Sequence, residues 1–161
     1  MSQAGSPGQK PRLAWVIATW FGCGMVPKAP GTMGALGAIP LYLLLARSGR
    51  IGVASGAVAV TAIGIWAASA VARDLGKKDP QLVVVDEVAG MLVTMLPMAD
   101  ASWRAILCGF VLFRLFDITK PWPTRRFEAF PGGWGIVMDD VVAGIFGACV
   151  MVGLRAGGVL R

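Results

Sequence analysis

The sequence contains no histidine, and with that absence go imidazole nucleophiles, proton shuttles and imidazole metal ligands. Any catalysis must rest on carboxylates, Lys, Arg, Ser, Thr or Cys. Charge is scarce too: 15% of the 161 residues are charged against 56% hydrophobic, and the mean hydropathy is +0.68. That is too apolar for an ordinary soluble domain and fits a membrane protein. The three cysteines, Cys23, Cys108 and Cys149, show no C-x-x-C spacing, which argues against a disulfide framework or a zinc site and leaves reduced, packed thiols. The net charge of +6 is spread in short clusters without interleaved aromatics, so a nucleic-acid partner is not expected. No obligate protein partner is evident either.

What is present is a series of apolar segments. Residues 1–12 read as a mobile basic tail, and 13–161 as a single helical membrane domain without internal repeats or linkers. Segment 13–26 is short for a crossing and reads either as a re-entrant or interfacial segment or as a span. Further segments follow at 34–46, 51–72, 82–98, 103–116 and 136–154, most of them expected to be helices. Only 51–72 clearly reaches the about 20 residues that a hydrocarbon core requires; the others cross only with tilt. The expected fold is all-α: a compact bundle of about six helices, mostly membrane-embedded, with short interfacial or re-entrant segments. The basic loops at 73–79 and 120–126 face the cytoplasm by the positive-inside rule, whereas "RSGR" at 47–50 runs against it.

Five of the nine acidic residues lie in apolar context: Asp86 and Glu87 in "VVVDEVAGML", Asp117 in "FRLFDITKPWP", Asp139 and Asp140 in "GIVMDDVVAG". Unpaired at mid-helix, five acids cost about 12 to 17 kcal/mol on an insertion scale, as much as a typical domain's whole stability. They must sit at the interface, share protons, or have partners. Arg114, Lys120 and Lys28 supply three positive charges nearby, and a divalent cation balances the rest. Oxygen ligands without His or Cys select a hard ion, Mg²⁺ first and Mn²⁺ as substitute. The plainer alternative, helix-end charges that only orient the bundle, suits one acid pair better than two pairs plus Asp117.

Two glycine-bearing stretches, "FGCGMVPKAPGTMG" (21–34) and "FPGGWGIVMDD" (130–140), fit a phosphate site at helix starts, although such turns usually only connect helices. Neither is a Walker A loop. "CGFVLFR" (108–114) satisfies a bare Cys-x5-Arg pattern, but it reads as apolar helix, not as a phosphate-binding loop, and a buried Cys108 is inert.

Together "KAPGTMGALGAIP", "DPQLVVVDEVAGM", "FRLFDITKPWP" and "GGWGIVMDDVVAG", in that order over residues 14–151, resemble the phosphatidylglycerophosphatase A family. The resemblance implies a Mg²⁺-dependent lipid phosphatase that removes the terminal phosphate of phosphatidylglycerophosphate to give phosphatidylglycerol, in a six-helix bundle with one helix in the middle. It implies catalytic roles for Asp86, Glu87, Asp117, Asp139 and Asp140, with Asp86, Glu87, Asp139 and Asp140 as metal ligands. Arg114, Lys120, Lys28 and Thr32 are implied for phosphate binding, and a bound water or one Asp attacks phosphorus. The implied setting is a bacterial inner membrane, multi-pass, with the site facing the cytoplasm. Cys23 stands where a small Ser is common in the family. The rival reading from the residues alone is a small membrane transporter or cation-binding subunit with an intramembrane acidic site. An alcohol phosphotransferase lacks its D-G-x-x-A-R sequence here.

Overall fold

The computed structural model describes residues 12–98 and 102–160; the expected tail at 1–12 lies, but for Arg12, outside them. Among the described residues there are seven α-helices and no strand. They are α1 (Arg12–Ala18), α2 (Pro30–Ala46), α3 (Gly49–Leu75), α4 (Val85–Thr94), α5 (Trp103–Thr119), α6 (Thr124–Phe127) and α7 (Gly133–Ala156), with a 3₁₀ turn at Cys23–Met25.

Segment 13–26 does not run through. After Ala18 the chain takes left-handed conformations at Trp20, Phe21 and Gly22 (φ 46°, 55° and 95°) and turns back. Thr19 Oγ1 accepts from Gly22 N at 3.3 Å, and Trp20 Nε1 donates to the Gly37 carbonyl at 2.9 Å. At seven residues, about 10 Å, α1 is too short to cross a membrane and packs Ala14 and Ala18 onto α3.

Among the described residues two helices are long and apolar enough to cross a membrane: α3 with 27 residues and α7 with 24. The second exceeds the sequence expectation of 136–154, because Gly133 and Gly135 are part of the helix instead of preceding it. Segment 82–98 falls the other way. Residues 80–84 are non-helical and the chain turns at 95–97, so α4 keeps ten residues, about 15 Å, and does not span. Nine of its ten residues are buried, and it packs against α2, α3, α5 and α7. It is the middle helix of the bundle.

Glycine permits the close crossing of α4 and α7. A Cβ on Gly90 of α4 would stand 2.6 Å from the Asp140 carbonyl oxygen of α7 and 2.9 Å from Phe113 Cζ of α5. Small residues at such a contact let helix backbones approach closely. Here the approach places the first turn of α4 beside the acid pair of α7. The far end is tied separately: Tyr42 donates to the Met98 carbonyl at 2.6 Å, and Arg155 Nη1 to the Pro97 carbonyl at 2.6 Å. Loops 27–29, 76–84 and 120–132 therefore lie at one end of the bundle and 47–48 at the other. Arg104 and Arg155 join Arg47 and Arg50 at that second end.

Candidate active site

α4 begins Val85-Asp86-Glu87, so both acids occupy its first turn, where the helix dipole favours negative charge. Asp86 is 8% exposed, and its Oδ1 accepts from Glu87 N at 3.0 Å. α7 contributes Asp139 and Asp140, 5% and 4% exposed. α5 brings Arg114 and Asp117, one turn apart and joined by Arg114 Nη1 donating to Asp117 Oδ2. Lys120, left-handed at φ 43° just past the end of α5, turns its ammonium back to Asp139 Oδ2 (2.7 Å) and Glu128 Oε1 (2.6 Å).

These groups surround one cavity of about 480 Å³, walled by Asp86, Glu87, Arg114, Asp117, Lys120, Asp139 and Asp140 and completed by Pro27, Ala29, Pro30 and Gly31. All five expected acids and both expected α5-end cations converge here. Lys28 and Thr32 do not line it. Ala29 is left-handed (φ 53°) and Lys28 is exposed on the link before α2, while Thr32 lies one residue, a 100° turn of helix, away from the cavity-lining Gly31. The glycine stretches likewise serve packing more than phosphate. Gly133 N donates to Ser69 Oγ at 2.8 Å, and Gly24 and Gly34 abut Leu82 and Val84. Gly31 alone of these meets the site: a Cβ there would come 3.1 Å from both Glu87 Cδ and Arg114 Nη1.

Asp86, Glu87 and Asp140 each offer an oxygen, all within 4.8 Å of one another. Three ionised carboxylates so placed repel by about 3 kcal/mol per pair or more at an effective dielectric near 20, a sum comparable with the stability of a domain. Burial, then the charges of Glu87, Asp140 and Asp139, hold the Asp86 carboxyl well above its ordinary range; burial also raises Glu87. Glu87 Oε2 and Asp139 Oδ1 are buried without a hydrogen-bond partner, as is Arg114 Nε. An acceptor-only, oxygen-lined trio with an unpartnered lone pair is the donor set of a hard divalent cation. Asp139 stands outside this trio, engaged by Lys120. Burial alone would lower the Lys120 pKa, yet the hydrogen bonds to Asp139 and Glu128 hold it above the usual lysine range, so it is a fixed cation.

Three contributors fall outside the residues expected at the site. Asp79 and Gln81 line the cavity, and Glu128 pairs with Lys120 although its surroundings in "TRRFEAF" read as an ordinary polar loop. The Cys-x5-Arg pattern is no loop: Cys108 and Arg114 share α5, about 9 Å of rise apart, and Cys108 is absent from the cavity wall. All three cysteines are free thiols.

A family model described as Phosphatidylglycerophosphatase A matches residues 16–155. The Escherichia coli (strain K12) protein of that name is 36% identical over 137 residues, covering 84% of this chain and 80% of its own. The Haemophilus influenzae protein of the same name is 36% identical over 143 residues, 87% of each chain. A Bacteroides thetaiotaomicron protein provisionally named phosphatidylinositol-3-phosphatase is 43% identical over 141 residues, 83% of this chain and 88% of its own. No solved structure matches.

Proposed function

The chain belongs to the phosphatidylglycerophosphatase A family, and from that premise we propose that it hydrolyses the terminal phosphate monoester of phosphatidylglycerophosphate, releasing phosphatidylglycerol and phosphate, with Mg²⁺ held by its buried carboxylates. Membership makes it a phosphatase, which sets aside the transporter alternative. The observation that carries the reading is the carboxylate trio, Asp86, Glu87 and Asp140, facing Arg114 and Lys120 across one cavity.

Phosphate monoesters are among the slowest esters to hydrolyse uncatalysed, with enzymatic accelerations reaching about 10²¹. Stabilising charge on the phosphoryl oxygens is the main demand on the site. Arg114 presents a planar fork whose Nη1 is fixed by Asp117; its remaining donors face phosphate oxygens. Lys120 adds a positive point charge from the α5–α6 turn. Asp86, Glu87 and Asp140 would hold the Mg²⁺, which when bound supplies Lewis-acid polarisation and neutralises phosphate charge. Asp139 fixes Lys120, and its unpartnered Oδ1 is free for a second polar contact. With two membrane-capable helices, the protein is read as a multi-pass inner-membrane enzyme whose basic site end faces the cytoplasm.

The test is phosphate release by purified protein in mixed micelles, with phosphatidylglycerophosphate and phosphatidylinositol 3-phosphate offered separately. Release from the former is expected, abolished by a chelator and restored by Mg²⁺; Asp86→Asn, Glu87→Gln and Asp140→Asn should each lower it about 100-fold or more while the fold persists. Faster turnover of the inositol lipid would move the substrate to that of the Bacteroides relative. Full activity in chelator would remove the metal.

A further inference from the structure

Lys120 has three ammonium hydrogens, and two are committed: one to Asp139 Oδ2 at 2.7 Å and one to Glu128 Oε1 at 2.6 Å. Among the described residues the third has no partner. The two carboxylates hold the ammonium from different sides. Lys120 lines the main cavity but not the smaller one, about 160 Å³, that adjoins it; Glu128 lines the smaller cavity but not the main one, and Asp139 borders both. Glu128 thus meets Lys120 from the side of the smaller cavity.

We propose that Glu128 is a positioning residue of the phosphatase, which by gripping Lys120 from that side directs the third ammonium N–H at a phosphate oxygen in the main cavity. A lysine side chain otherwise turns freely about its four-carbon stem. With Asp139 alone, the ammonium can swing about a single hydrogen bond and lie flat on the acid cluster. Two acceptors fix its axis. Glu128 is half-exposed, with 44% of its side chain open to solvent, so its ion pair adds little to global stability; its consequence is local and geometric. The inference rests on the phosphatase reading above.

The experiment compares wild-type, Glu128→Ala and Glu128→Gln proteins in the phosphate-release assay, together with inhibition by inorganic phosphate and thermal unfolding. Glutamine reaches as far and still offers an oxygen acceptor, but carries no charge. Glu128→Ala should lower kcat/KM about tenfold, the scale of one hydrogen bond to a charged group, and weaken inhibition by phosphate by a similar factor. Glu128→Gln should recover most of both losses. Glu128→Asp, one methylene shorter, keeps the charge but loses the reach, and serves if the alanine variant unfolds; it should fall well below the glutamine variant. Wild-type-like kinetics in Glu128→Ala, or equal losses in the alanine and glutamine variants, would overturn the inference. An inactive wild-type enzyme would instead refute the phosphatase reading.

Discussion

Replacing Gly90 by Ala adds one methyl group at the place where three helices meet, and tests whether the crossing of α4 and α7 sets the site. The new Cβ would lie 2.6 Å from the Asp140 carbonyl oxygen and 2.9 Å from Phe113 Cζ. Carbon contacts settle near 3.5 Å, so α4 and α7 must part by roughly 1 Å. Phe113 is fully buried and cannot swing out. Overpacking of this kind costs about 1 to 3 kcal/mol, and alanine's better helix propensity returns at most about 1; the net change in stability is therefore modest. Activity should suffer more. The displaced atom belongs to Asp140 itself, and a misplacement of about 1 Å in a catalytic constellation can cost about 100-fold in rate. Gly153→Ala, on the same α7 with nothing within 4 Å of the added carbon, is the control and should leave turnover unchanged and stability equal or higher. The assays are phosphate release and thermal unfolding in detergent. Turnover of Gly90→Ala within twofold of wild type would refute the claim that this close crossing holds the acids in register.

Arg114→Lys keeps the charge and loses the planar fork, and kcat/KM should fall about 10- to 100-fold; Cys108→Ser, away from the cavity, should stay within twofold, and its inactivation with fold intact would revive thiol chemistry. In chelator, unfolding temperature should fall as pH rises from the ordinary carboxylate range through the raised Asp86 pKa, because across that window the folded state holds the proton that the unfolded chain has released. The fall should be smaller in Asp86→Asn and flattened by Mg²⁺; a rise over the same window in wild type relative to Asp86→Asn would contradict the burial argument. Cysteines at the exposed positions Lys77 and Arg125, in a background cleared of native thiols, should be labelled only from the cytoplasmic side of intact cells, and one at Ser48 only from outside. Labelling at 77 or 125 from outside would invert the topology.

The sequence alone determined the class and the cast. A histidine-free, apolar chain with two adjacent-acid pairs and an Arg-x-x-Asp-x-x-Lys element must bring its charges together or be unstable, and that necessity is readable without coordinates because the cost of isolated charge in apolar surroundings does not depend on the fold. Helical class followed for the same reason, since apolar runs of this length satisfy their backbone internally as helices. Tertiary structure decided what local pattern leaves open. Segment 82–98 is continuous in hydropathy, yet only ten residues are helical, because the flanking chain is used to reach α1 and α5. Glu87 and Asp139 each neighbour their partner acid in sequence, but the crossing at Gly90 assigns Glu87 to the carboxylate trio and Asp139 to Lys120. Lys28 sits between two cavity-lining residues, Pro27 and Ala29, but does not line the cavity itself. Glu128 is eight residues from Lys120 and carries no local signal at all; the chain returns it to the ammonium through the short α6. Charge balance is a property of composition, but which carboxylate meets which cation is fixed by helix crossings a few ångströms across, and those depend on residues distant in the chain.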